Sequence, residues 1–123
     1  MTLEERTQRG ARLLEQMLGA EAAHEVRQAW RTIAPQFEQY VTEFLAGEIW
    51  SRPTLDLKTR SLITVAVVAA LGRQRALELN LRMARRNGAT REELTETLLQ
   101  VAPYAGFPAA WEGLAQLHAM FAE

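Results

Sequence analysis

Residues Gly47–Asn80 read GEIWSRPTLDLKTRSLITVAVVAALGRQRALELN, and the middle of this stretch decides the fold. Ile63, Thr64, Val65, Val67 and Val68 are β-branched or strand-loving and would suit a strand. The apolar run Ser61–Leu71 is long for a strand, however, and helical patterns stand on both sides of it, so helix is the better reading. Asp56 occupies an N-cap position, where its side chain can accept from the first backbone N–H groups. Pro53 biases Arg52 to an extended conformation, which makes Ser51–Leu55 a loop. Gly72 marks a break. From Leu62 to Leu71 the helix is apolar on every side, which predicts a central element buried all round.

Toward the N-terminus, Thr2 and Glu5 stand in capping-box spacing and open a first helix carrying Leu3, Leu13, Leu14, Met17 and Leu18, with Gly19 as its stop. A second helix, about Glu21 to Thr32, places Ala22, Val26, Ala29, Trp30 and Ile33 on one stripe. Pro35 suits the first turn of a third helix, where Phe37, Tyr40, Val41, Phe44 and Leu45 repeat at helical spacing until it ends near Gly47–Trp50. Toward the C-terminus, a fifth helix runs from about Gln74 to Arg86 and stops at Asn87-Gly88. Thr90 and Glu93 form a second capping box for a sixth helix with Leu94, Leu98 and Val101 inward, broken by Pro103 and Gly106. Pro108 opens a last helix carrying Trp111, Leu114, Leu117 and Phe121. The expectation is an all-α, single-domain bundle of about six to seven helices over residues 1–123.

Composition narrows the function. With 14 basic and 15 acidic residues and a net charge of -1, nothing favours nucleic acid or an anionic membrane as partner. Cysteine is absent, which excludes thiol peroxidase, disulfide and thiolate-metal chemistry. Two histidines, His24 and His118, make a His-rich metal site a poor expectation. MTLEERTQRG has no apolar signal core, so a cytoplasmic location is expected, and Ser61–Leu71 is about half of a bilayer span. One helix apolar all round and three tryptophans in so short a chain point to subunit contacts completing the core.

Three segments together carry a resemblance: GEIWSRPTLDLKTRSLI from Gly47, ELNLRMARRNGATREE from Glu78, and YAGFPAA from Tyr104. From roughly Leu18 to Phe121 the chain resembles the carboxymuconolactone decarboxylase family. The resemblance implies an all-α alkylhydroperoxidase D-like fold, assembly as a homohexamer or homotrimer, and no metal or organic cofactor. It also implies loss of carbon dioxide from 4-carboxymuconolactone, in aromatic-compound catabolism through protocatechuate and 3-oxoadipate. Asn80 stands where decarboxylases of the family usually carry His; an asparagine can orient a group or donate a hydrogen bond but cannot deliver a proton near neutral pH. The alternative is a family member with lost or different activity, an oligomeric protein that binds a small carboxylate.

Decarboxylating such a lactone needs a cationic anchor for the carboxylate that stays and donors aimed where charge develops. It also needs a dry surface beside the carboxylate that leaves, and a proton for carbon. Arg60, in the first turn of an apolar helix, is the candidate anchor; an ion pair with Asp56 or solvation is its ordinary alternative. Glu48 is the candidate acid–base group if buried, or else a partner of a nearby Arg. Trp50 is a wall for the ring or a core aromatic. Asn80 faces a pocket or is satisfied in the core. Arg82 is a second anchor or an i, i+4 partner of Glu78. Tyr104 is a candidate donor from the hinge before the last helix. His118, one turn from Leu114, is placed to line the inner face of that helix or to serve as a packed or interface residue.

Overall fold

A computed structural model describes residues 1–123 and contains helices but no strand. The chain groups into two compact units, Met1–Leu55 and Asp56–Glu123.

The first unit holds α1 (Leu3–Leu18), α2 (Ala20–Ile33), α3 (Pro35–Tyr40) and a π-helix (Val41–Ile49). The Thr2/Glu5 capping box opens α1 in both directions. α1 runs antiparallel to the π-helix at backbone contact: a Cβ on Gly10 would stand 1.8 Å from the Thr42 carbonyl oxygen, and one on Gly47 would stand 2.4 Å from that of Arg6. The third helix thus differs from its expected form, because its α portion ends at Tyr40 and the chain widens into π geometry. Its inward face also differs. The apolar stripe points outward, with Phe37, Tyr40 and Phe44 all more than half exposed, while Glu38, Thr42, Ala46 and Gly47 are buried. Small side chains win the inward face because only they permit the close approach to α1. Glu38, 5% exposed, is satisfied there by Arg31 Nε at 2.6 Å, Arg27 Nη2 at 3.3 Å and the Thr42 hydroxyl at 3.3 Å.

The second unit holds α4 (Leu57–Ala70), α5 (Gln74–Arg86), α6 (Arg91–Ala105) and α7 (Phe107–Phe121). Side-chain pairs set their directions. Asn87 Nδ2 donates to Ser61 Oγ, so α5 returns antiparallel to α4. Lys58 meets Glu93, so α4 and α6 start at the same end. Arg82 meets Glu123 and Gln74 meets Glu112, so α5 and α7 run together. The result is an up-down-up-down four-helix arrangement whose core includes Val65, Leu77, Leu81, Leu94, Leu98 and Leu117. The Thr90/Glu93 capping box and the inward Leu94, Leu98 and Val101 stand as expected.

Two expectations are corrected. α4 is not buried all round: only Ser61, Val65 and Ala69 are buried, and Ile63, Val67 and Leu71 are 49%, 50% and 63% exposed. The three other helices of this unit cover one side of α4, and none of them covers the other. Pro103 does not break α6, which continues to Ala105 and ends at Gly106 with φ 105°. Pro103 lies in the last turn, where the lost N–H costs one bond to the carbonyl of half-exposed Leu99 rather than the helix.

Candidate functional site

Each candidate is placed by its own helix. Glu48 and Trp50 belong to the first unit, at the end of the π-helix, a rare geometry that is frequent at functional sites. Trp50 is 8% exposed, and its backbone N–H donates to the Leu45 carbonyl at 2.9 Å, continuing the i→i−5 pattern. The carboxylate of Glu48 is 38% exposed rather than buried, and nearby arginines stand beside it, as the alternative reading of this residue had it. Its Oε2 lies 3.9 Å from both Arg6 Nη1 and Arg9 Nη2. Arg9 also donates from Nε and Nη2 to the carbonyl of Gly47, at 2.9 and 2.5 Å.

The other five lie in the second unit. Asp56 caps α4 by accepting from the Thr59 N–H at 2.8 Å, and that bond holds its carboxyl below the usual carboxylate range. Arg60 is half-buried one turn further on, and its carbonyl accepts from the Thr64 hydroxyl. Beside it Ser61 is buried and satisfied by Asn87 at 2.9 Å. Asn80, half-buried on α5, donates from Nδ2 to the Ala76 carbonyl at 2.8 Å, which leaves its second N–H and its Oδ1. Arg82 is joined in a two-pronged pair to Glu123, at 3.1 and 2.7 Å, rather than to Glu78. The Glu123 hydrogen bond holds this guanidinium above its ordinary range and the carboxyl below its own. These two side chains border a cavity of about 210 Å³ together with Glu78 and Gln116. His118 is exposed rather than on the inner face of α7, and Arg91 Nη2 lies 3.3 Å from its Nδ1. Tyr104 is 83% exposed.

Within the second unit these side chains stand at different levels. Arg60 and His118 lie at the end where α4 and α6 begin. Tyr104 is at the other end, beside Ala70, about 15 Å further along α4 at the helical rise. Asn80 is seven residues above Asn87, roughly 10 Å from the level of Ser61. Between α4 and α6 lies an open groove of about 720 Å³, lined by Ile63, Ala66 and Val67 on one side and Thr97, Val101 and Tyr104 on the other. No group of three or more His, Asp or Glu side chains converges as a metal centre would require.

The residues that sequence reading passed over are Arg6 and Arg9. Their signal was Gly10, a glycine inside an otherwise sound helix, which marks close backbone approach.

The sequence model of the carboxymuconolactone decarboxylase family matches residues 35–119. The chain is 37% identical over 110 residues to a 4-carboxymuconolactone decarboxylase of Acinetobacter baylyi, covering 89% of this chain and 82% of that protein. It is 36% identical over 110 residues to a nitrosuccinic acid decarboxylase of Metarhizium robertsii, covering 85% and 73%. An uncharacterised 15.0 kDa protein of Paracoccus denitrificans is 30% identical over 97 residues, covering 77% and 72%. Both relatives with a named activity are decarboxylases, and no helix of the chain is long and apolar enough to cross a membrane. With its all-α, alkylhydroperoxidase D-like fold, the chain belongs to the carboxymuconolactone decarboxylase family.

Proposed function

We propose that the protein is a cytoplasmic, cofactor-independent carboxy-lyase acting on 4-carboxymuconolactone or a closely related small anionic lactone in aromatic-compound catabolism. The observation that carries this reading is the identity of 37% to a protein named for that activity, over 89% of this chain. Arg60 anchors the carboxylate that stays, helped by the N–H groups of the first turn of α4. The C–C bond to the leaving carboxylate breaks, carbon dioxide departs, and the electron pair spreads through the ring onto the lactone carbonyl oxygen. The uncommitted N–H of Asn80 is a donor for that developing charge. Trp50 supplies an apolar wall that disfavours the localised charge of the ground state. Glu48 is the acid–base group: its part-exposed carboxylate takes a proton from water and passes it to the ring carbon, which returns it to the carboxylate form. Tyr104, Arg82 and His118 stand at the margin of this assignment, the last two engaged by Glu123 and Arg91.

The half-exposed Ile63 and Val67 on an apolar helix support self-association through the α4–α6 groove, as a homohexamer or homotrimer. Light scattering of the wild type and of Val67→Glu tests this: the wild type is an oligomer and the variant a smaller species. A monomeric wild type refutes it.

The activity is tested by following carbon dioxide release and ultraviolet absorbance with freshly generated 4-carboxymuconolactone, with Arg60→Ala beside the wild type. Turnover that Arg60→Ala abolishes is the expected result, and full turnover by Arg60→Ala removes Arg60 from the site. Inactivity of a folded wild type refutes the substrate. It would favour the second reading, a different decarboxylation or simple binding of a small carboxylate, which Asn80 and the nitrosuccinic acid decarboxylase relative support.

A further inference from the structure

α1 lies outside residues 35–119, the part of the chain matched by the family, yet two of its side chains converge on Glu48. The convergence is looser than the closed ion pairs of the protein, and Arg6 is shared with Glu43, whose Oε1 also lies 3.9 Å from its Nη2. Arg31–Glu38, Arg82–Glu123 and Lys58–Glu93 close to 2.6, 2.7 and 2.9 Å, as charge-assisted hydrogen bonds do. Both contacts to Glu48 stand at 3.9 Å, too long for a hydrogen bond. Two guanidiniums therefore hold the carboxylate by charge while its lone pairs stay uncommitted.

The stronger grip of Arg9 is on the backbone one residue earlier. A π-helix that stops leaves its last carbonyls without backbone donors. Here side chains replace them. The Ser51 hydroxyl donates to the Ala46 carbonyl at 2.7 Å, and the fork of Arg9 donates twice to that of Gly47. Gly10 and Gly47 make this reach possible, because neither position has room for a Cβ between α1 and the π-helix. The segment that presents Glu48 is thus clamped from outside its own helix.

We propose that Arg9 is a positioning residue for Glu48, locking the end of the π-helix through the Gly47 carbonyl and orienting the carboxylate by charge. The inference rests on the acid–base role proposed for Glu48. It makes the N-terminal helix part of the catalytic machinery rather than a scaffold added beside it.

Hydrogen exchange and kinetics test it together in Arg9→Gln, Arg9→Lys and Glu48→Gln, with exposed Arg12→Gln as control. Arg9→Gln speeds exchange at the Trp50 amide by about tenfold or more and leaves that of Met17 unchanged, since only the π-helix end loosens. Unchanged exchange at Trp50 overturns the clamp whatever the substrate proves to be. In turnover, Arg9→Gln lowers kcat about tenfold with KM within about twofold, and Arg9→Lys recovers part of the loss. Adding Arg9→Gln to Glu48→Gln costs nothing more, because both act through one carboxylate. Additive losses overturn the proposal, as does full turnover by Arg9→Gln beside an impaired Glu48→Gln. Full turnover by Glu48→Gln overturns the acid–base reading, and the positioning role with it.

Discussion

Gly10→Ala is the most demanding test of how the first unit is built. In an exposed helix interior this change stabilises by about 1 kcal/mol, because alanine restricts the unfolded chain and favours helix. At Gly10 the new methyl would stand 1.8 Å from the Thr42 oxygen, 2.9 Å from its carbon and 3.0 Å from the Gly47 nitrogen. All three are backbone atoms of the π-helix, so no rotamer change relieves the clash. Ordinary contact requires the two helices to part by about 1.5 Å, which opens voids along the packed seam. Overpacking of this kind costs about 3 kcal/mol or more, so the net expectation is a loss of about 2–3 kcal/mol. For a chain of this size the melting temperature falls by roughly 10 °C. Gly113→Ala is the matched control on α7. Its methyl would meet the Leu98 Cδ2 at 2.6 Å, the far end of a side chain that can turn, and a change within about 1 kcal/mol is expected. Urea unfolding followed by far-ultraviolet circular dichroism measures both. A Gly10→Ala protein as stable as wild type would refute the close approach of α1 to the π-helix, and with it the reach of Arg9 to Gly47.

Thr90→Ala removes the side-chain half of the α6 capping box and should cost about 1 kcal/mol in the same assay, with no loss if the box is not formed in solution. Glu38→Ala leaves the fully buried Thr42 hydroxyl and two guanidiniums without their acceptor; a loss of about 2 kcal/mol is expected, and wild-type stability would contradict the network. The Lys58–Glu93 pair predicts a pH window. Glu93 is held below the usual carboxylate range, first by the Thr90 backbone N–H and then by Lys58, so its contribution is present above about pH 4.3 and is lost as pH falls through its lower folded value. Lys58 is held above its ordinary range by Glu93, so its contribution is present below about pH 10.4 and is lost as pH rises through its raised folded value. The difference in urea midpoint between wild type and Lys58→Ala is therefore largest between these limits, and a pH-independent difference would contradict the pairing.

Signals written in neighbouring residues were the ones a linear reading captured. Thr2, Asp56 and Thr90 each accept from a backbone N–H three residues on, as caps must, and Gln74–Arg86 has the bounds its spacing and its Asn87-Gly88 stop demand. The motifs around Trp50, Arg60 and Asn80 placed the chain in its family before any packing was considered. Cysteine-dependent chemistry was settled by composition alone.

Distant backbone contacts decided the rest. Periodicity marks an apolar stripe but not whether the chain supplies its cover, so the outward turn of Phe37 and Phe44 and the half-exposed face of α4 were visible only in the tertiary structure. The same holds for the π-helix. Val41–Ile49 carries no residue that forbids α geometry, and the wider turn exists where Ser51 and Arg9 take over the carbonyls at its end. Arg9 is 38 residues from Gly47 along the chain and within hydrogen-bond distance in space. Local sequence determined which helices form and where they start and stop, because caps and breakers act within one turn. Tertiary structure alone decided which faces are inward and which side chains meet Glu48, because these depend on how closely two backbones approach.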